Sequence, residues 1–312
     1  MELKSLKEEF LIDCKIRNLS PRTIETYDRN IAIVISLLKN KEIYSVEKVS
    51  KVAMNEVILY LKESGRKTSY INTILKSIKV LFKYAYEERY ISENIMLKVN
   101  LLKEEKLVLT TFSDEEVIKM IDYYSGKGFL KVRNKLIIEM FADTGLRASE
   151  LRGIRNNRVK DGYLIVCGKG NKERIVPLSP YLGKRIIKYK RVKYDYFKNL
   201  RVQRELDDFL FLTKSGNMIR SNVLLELVVK EAAISVGVRE EVKRKSCHSL
   251  RHYYAQNLLK SGTNMYIISR LLGHSNLKTT QLYLNSLTDE EIINHMSENT
   301  PLMQMVKKLK RN

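Results

Sequence analysis

Apolar side chains recur at a helical spacing through the first hundred residues. Ser20 and Pro21 open such a run as N-cap and first helical residue, and Ile24, Tyr27, Ile31, Val34 and Leu38 follow along one face. "VEKVSKVAMNEVILYLKESG" is a second run, ended by Gly65, and "SYINTILKSIKVLFKYAYEERY" a third, with an earlier helix over about Leu3–Ile16. Together they predict a unit of four or five helices. The pattern lapses at the charged stretch Lys103–Lys106, which reads as a linker. Ser113 with Glu116 then forms a capping box for a new helix. The boundary falls at about residue 105, giving domains 1–105 and 106–312.

The second domain is helical with one insert of a different period. "NKLIIEMFADTGLRASELRGI" reads as helix, turn, helix. "VKDGYLIVCGKGNKERIVPLS" reads as a hairpin: a turn at Asp161-Gly162, the strand "YLIVC", a second turn from Gly168 to Asn171, and the strand "ERIVPL". Lys169 then sits at the hairpin tip. Helices resume from Tyr181, the first of them strongly basic and suited to a solvated face. "LTDEEIINHM" has the form of one more helix, and residues 301–312 have no assigned role. The fold class expected is mainly α with a small antiparallel β-sheet in the C-terminal domain.

Charge narrows the partner. The chain of 312 residues carries 57 Lys and Arg against 36 Asp and Glu, a net charge of +21, with most of the excess after residue 105. Such an excess favours a polyanion, either nucleic acid or an anionic membrane face. No apolar run is long enough to span a bilayer, and "MELKSLKEEF" lacks the apolar core of a signal peptide, so a soluble intracellular protein is expected. Cys14, Cys167 and Cys247 are scattered without zinc spacing and are expected to be reduced thiols.

Several polar residues interrupt apolar surroundings. Arg147 and Glu150 lie three apart in "TGLRASEL", and His248 and Arg251 three apart in "CHSLRHYYA". Lys169 tips the hairpin, and "LLGHSNLKTTQLYLN" places Tyr283 nine residues after His274. Each has an ordinary explanation alone: a salt-bridged arginine, a polar turn lysine, a core or rim tyrosine, and a helical partner for Arg147 in Glu150. Together they suit one chemistry. Two arginines can clamp the non-bridging oxygens of a phosphodiester. A tyrosine can attack phosphorus, but with a free pKa of about 10 it needs a base, which a histidine supplies. A lysine can protonate the leaving oxygen. This scheme needs no metal or other cofactor, and "GKGNKER" lacks the spacing of a nucleotide-binding loop. Lys172 is a second candidate for the acid. His252 suits packing or capping, and His295 the surface.

The motifs "TGLRASEL", "GKGNKERIVPL", "HSLRH" and "LLGH", with the tyrosine nine residues on, resemble those of the tyrosine recombinases, or integrases, and most closely the two-domain Xer-like branch. They run over roughly residues 140–285. "LSPRTIETYDRNI" and "INTILKSIKVLFKYAYEE" look, more loosely, like the family's helical core-binding (SAM-like) domain. The resemblance implies a C-shaped clamp on DNA, with residues 1–105 binding DNA and residues 106–312 catalytic. It implies Arg147 and Arg251 as phosphate clamps, Lys169 as general acid and His248 as the handler of the tyrosine proton. It further implies His274 as a second phosphate-contacting histidine, Tyr283 as nucleophile and Glu150 as a supporting acid. The implied reaction is site-specific recombination through a 3′-phosphotyrosine and a Holliday junction. The implied partners are double-stranded DNA with a core site and a homotetramer, or a heterotetramer with a paralogue. The implied location is cytoplasmic, at the nucleoid. A C-terminal helix docked on a neighbouring protomer belongs to the same expectation. A type IB topoisomerase-like relaxing enzyme and a non-catalytic DNA-binding protein remain as alternatives.

Overall fold

A computed structural model describes residues 1–104, 110–168, 173–200 and 205–273. The chain divides into two compact units, Met1–Leu107 and Val108–Asn312.

The first unit holds four α-helices: α1 (Leu3–Ile16), α2 (Pro21–Lys39), α3 (Lys51–Glu63) and α4 (Thr68–Glu87). Ser20 caps α2 by accepting from the Thr23 N–H at 3.2 Å, with Pro21 at the first position. The periodic apolar faces close on one another around Leu6, Phe10, Ile31, Met54, Ile71 and Leu75. The run read as one helix from Val46 is in fact broken. Val46–Lys48 is a single 3-10 turn, Val49 is extended, and Ser50 restarts the chain by accepting from the Ala53 N–H at 3.1 Å. A serine side chain that caps a backbone amide competes with helix continuation, and here the cap prevails. The buried amide of Asn72 fixes the departing chain: its Oδ1 accepts from Leu102 N at 2.8 Å and its Nδ2 donates to Leu102 O at 2.9 Å.

The second unit is built on α6 (Phe129–Thr144), which is buried on nearly every side through Leu136, Ile137, Ile138, Met140 and Phe141. Around it lie α5 (Asp114–Tyr123), α8 (Pro180–Lys198), α9 (Val223–Ser235) and α10 (Cys247–Lys260). The short helices α7 (Ala148–Arg152) and α11 (Met265–Leu272) complete the α-helices among the described residues. The capping box at α5 is present: Ser113 N donates to Glu116 Oε2 at 2.8 Å, and Glu116 N to Ser113 Oγ at 3.2 Å.

The β insert is one strand larger than the sequence pattern suggests. β1 (Val159–Lys160), β2 (Tyr163–Cys167) and β3 (Glu173–Pro177) form an antiparallel sheet in that order. β1 is two residues long, too short to show alternation, and it is set by the Asp161-Gly162 turn, which pairs Lys160 with Tyr163. In β3 the period of two places Arg174 on the face of buried Val176. No described helix is long and apolar enough to cross a membrane. The hairpin tip and the expected helix "LTDEEIINHM" lie outside the described residues.

Candidate active site

The site forms where α6 hands the chain to α7. Gly145 ends α6 at φ +59°. A Cβ there would fall 2.3 Å from Tyr254 Cδ1 and 2.9 Å from Leu272 Cδ2, so this turn requires glycine for both conformation and space. Two residues later Arg147 stands at the N-cap of α7. Its backbone N–H donates to Glu150 Oε2 at 2.8 Å and its Nη1 to Glu150 Oε1 at 2.8 Å.

α10 supplies the next pair. Ser246 caps it, and His248 and Arg251 follow on one face of its first turns. Arg251 is only 2 % exposed, and a charge so buried must be matched by acceptors. Nη1 donates to Gly145 O and Nη2 to Leu272 O, both at 2.7 Å. The His248 and His252 rings meet edge to face with centroids 4.2 Å apart. His248 stays exposed at its outer side, yet its pKa is lowered. Desolvation against the helix is the largest cause, followed by the charges of Arg251 and Arg244, with Arg147 acting in the same sense and Glu226 opposing. A neutral imidazole beside arginines is the form able to accept a proton.

α11 packs on α10 through Ala255, Ile268 and Leu272 and ends at Gly273 with φ +65°. A helix end leaves carbonyls without intrahelical partners. Three successive carbonyls here each receive a different guanidinium. Arg174 Nε donates to Leu271 O at 2.8 Å, Arg251 Nη2 to Leu272 O at 2.7 Å, and Arg147 Nη2 to Gly273 O at 3.1 Å. Cations suit the negative end of a helix dipole.

Glu150 joins this cluster from below, its side chain 3 % exposed. Arg174 grips it with both terminal nitrogens, Nη1 to Oε1 at 2.8 Å and Nη2 to Oε2 at 2.9 Å. Burial by itself would push the Glu150 carboxyl up, but the Arg174 fork, and then the Arg147 bonds, outweigh it and hold the pKa at about 2.

Of the residues singled out in the sequence, the structure brings together Arg147, Glu150 and Arg251 at the end of α11, with His248 one turn before Arg251 on α10. Lys169, His274 and Tyr283 lie outside the described residues, as do Lys172 and His295. His274 follows Gly273 directly in the chain. Arg174 was missed. The available signal was a charged residue in the inward phase of "ERIVP", two before the buried Val176. Among the described residues, no three His, Cys, Asp or Glu side chains are placed to hold a metal ion.

Comparison with known proteins gives this geometry its context. Residues 110–290 match the phage integrase family, and residues 8–89 match the phage integrase N-terminal SAM-like domain. The tyrosine recombinase XerC of Natranaerobius thermophilus is 31% identical over 277 residues, 86% of this chain and 89% of the relative. In fold, the chain is similar to the XerH site-specific recombinase bound to palindromic difH substrate in a post-cleavage complex, with TM-score 0.72 and 19% identity over 90% of this chain and 81% of that one. It is also similar to a lambda integrase tetramer bound to a Holliday junction, with TM-score 0.69 and 19% identity over 88% of this chain and 78% of that one. The family match spans more than half of the chain, and the site described above lies within it: the chain belongs to the phage integrase family and is a tyrosine recombinase of the Xer type.

Proposed function

We propose that this protein cuts and rejoins double-stranded DNA at a specific core site, with Tyr283 as the nucleophile. Residues 1–105 serve as a core-binding domain and residues 106–312 carry the chemistry. Arg147 and Arg251 clamp the non-bridging oxygens of the scissile phosphate, joined by His274. As the Tyr283 Oη attacks phosphorus, its proton passes to His248 and the P–O5′ bond breaks. Lys169 protonates the departing 5′ oxygen; Lys172 is the alternative donor. The product is a 3′-phosphotyrosine with a free 5′ hydroxyl. The phosphodiester energy is kept in the tyrosyl bond, so a 5′ hydroxyl from a second duplex can attack it, regenerate the tyrosine and exchange the strands through a Holliday junction.

The observation that carries this reading is the convergence of Arg147 and Arg251 on the helix end that leads directly into His274, with His248 one turn before Arg251 on α10 and its pKa lowered by desolvation and by the charges of both arginines. Four protomers on two sites is the assembly proposed, supported by the likeness to a lambda integrase tetramer on a Holliday junction. A homotetramer is the simpler form, and pairing with a paralogue the other. The setting proposed is the cytoplasm, at the nucleoid.

Covalent trapping tests the proposal. Wild-type protein is incubated with nicked duplexes from the gene's own genomic surroundings and then denatured. The expected result is DNA joined to the wild type at one recurring sequence and none joined to Tyr283→Phe, which still binds. Attachment at unrelated sequences, with relaxation of supercoiled DNA, would support a topoisomerase instead. Tight binding without attachment would support a non-catalytic binder.

A further inference from the structure

Resting on the recombination reading above, we infer that Arg174 is a positioning residue for strand cleavage: it neutralises Glu150 so that Arg147 keeps its charge for the scissile phosphate, and it fixes the end of the helix that leads to His274. Arg174 is not placed to touch DNA. Its side chain is 13% exposed, whereas that of Arg147 is 38% exposed. Three of its nitrogens are already committed, two to the Glu150 carboxylate and Nε to Leu271 O.

The electrostatic reason lies in how Glu150 is shared. Its Oε1 accepts from Nη1 of both Arg147 and Arg174, and its Oε2 accepts from the Arg147 backbone N–H and from Arg174 Nη2. With Arg147 alone, one carboxylate would cancel one guanidinium, and a neutral pair is a poor clamp for a phosphate gaining charge in the transition state. With Arg174 added, two cations share one anion, and the surplus charge sits on the more exposed of the two arginines. Arg174 is also the stronger of Glu150's two partners in holding that carboxyl ionised.

The second reason is steric. A Cβ on Gly273 would lie 3.0 Å from Arg174 Nη1 and 3.1 Å from its Cζ, so the close of α11 is shaped around this guanidinium. Arg174 thus links β3, α7 and the last turn of α11, three elements far apart in sequence.

Single-turnover cleavage at saturating protein, alongside DNA affinity, tests the inference with Arg174→Met, Arg174→Lys and Arg147→Ala. For Arg174→Met the cleavage rate is expected to fall roughly 100-fold, the order found for removal of an oriented charge-stabilising donor, while affinity changes less than about threefold. Arg174→Lys keeps the charge but not the fork, and should fall in between. The discriminating substrate carries a neutral methylphosphonate at the scissile position. With no anionic oxygen to compensate, both Arg174 variants and Arg147→Ala should recover toward the wild-type rate on that substrate.

Cleavage of the ordinary phosphodiester at the wild-type rate by the Arg174 variants would overturn the inference. So would failure of the methylphosphonate to rescue them while it rescues Arg147→Ala, since that pattern would leave Arg174 no part in keeping the charge of Arg147 available. If Arg174→Met does not fold, as judged by its thermal transition, Arg174→Lys on the two substrates decides. Absence of wild-type attachment, or attachment that persists in Tyr283→Phe, would instead remove the recombination reading, a different result from either of these.

Discussion

At the scale of single residues, two titrations define the site. Glu150 has a folded pKa of about 2 against an ordinary 4.5. A depressed carboxyl stabilises the fold above its unfolded pKa, and the contribution is lost as pH falls from 4.5 toward 2. Between pH 5 and pH 3, urea midpoints should show the wild type losing about 2 kcal/mol more stability than Glu150→Gln, whose amide does not titrate. Equal losses in the two proteins would mean that Glu150 is not the ionised hub. The His248 pKa is shifted down from 6.5. In its proposed role His248 accepts the tyrosine proton only when neutral, so cleavage should hold steady as pH falls to 6.5 and decline only below it. Removing one of the cations that depress it, in Arg244→Ala, should move that decline to higher pH in a single-turnover profile.

At the scale of elements, glycines decide where the arginines can stand. Gly145→Ala combines a left-handed backbone with a Cβ 2.3 Å from Tyr254, and should cost about 3 kcal/mol. Gly65→Ala meets the same backbone strain at φ +73° but has nothing within 4 Å, and should cost only about 1 kcal/mol. Thermal melts of the two variants measure the difference, and equal shifts would remove the packing contribution assigned to Gly145. The same elements show what a linear reading can reach. The α2 cap, the α5 capping box and the Asp161-Gly162 hairpin were legible because each is a local signal within a few residues. His248 with Arg251 was legible as a three-residue spacing on a helix; the spacing of Arg147 and Glu150 suggested one helix face as well, but Arg147 is the extended N-cap of α7 and Glu150 reaches back to it from the first turn. The break at Ser50 was not, since apolar periodicity runs through it while the serine's hydrogen bond prevails locally. Arg174 was read only as part of a strand, because its partners Glu150 and Leu271 lie 24 and 97 residues away in the chain.

At the scale of the whole molecule, each unit has its own core. The first closes on Leu6, Phe10, Ile31 and Ile71, the second on Ile137, Phe141, Leu164 and Leu225. Residues 1–104 expressed alone should therefore unfold in one cooperative transition. A chain that shows no transition would mean that the first core depends on the second unit. The net charge of +21 has a consequence for affinity. If phosphate contacts dominate, binding to core-site DNA should weaken by more than roughly tenfold between 50 and 200 mM salt. The proposed chemistry turns on which atom joins the protein to DNA. Digesting the trapped complex with nuclease and protease, and sequencing the modified peptide by mass spectrometry, reads this directly. The expected product is a single modified peptide containing Tyr283, with a nucleotide joined to that tyrosine through its 3′ phosphate, and a 5′ hydroxyl on the released strand. A linkage to any other side chain, or one through a 5′ phosphate, would contradict it.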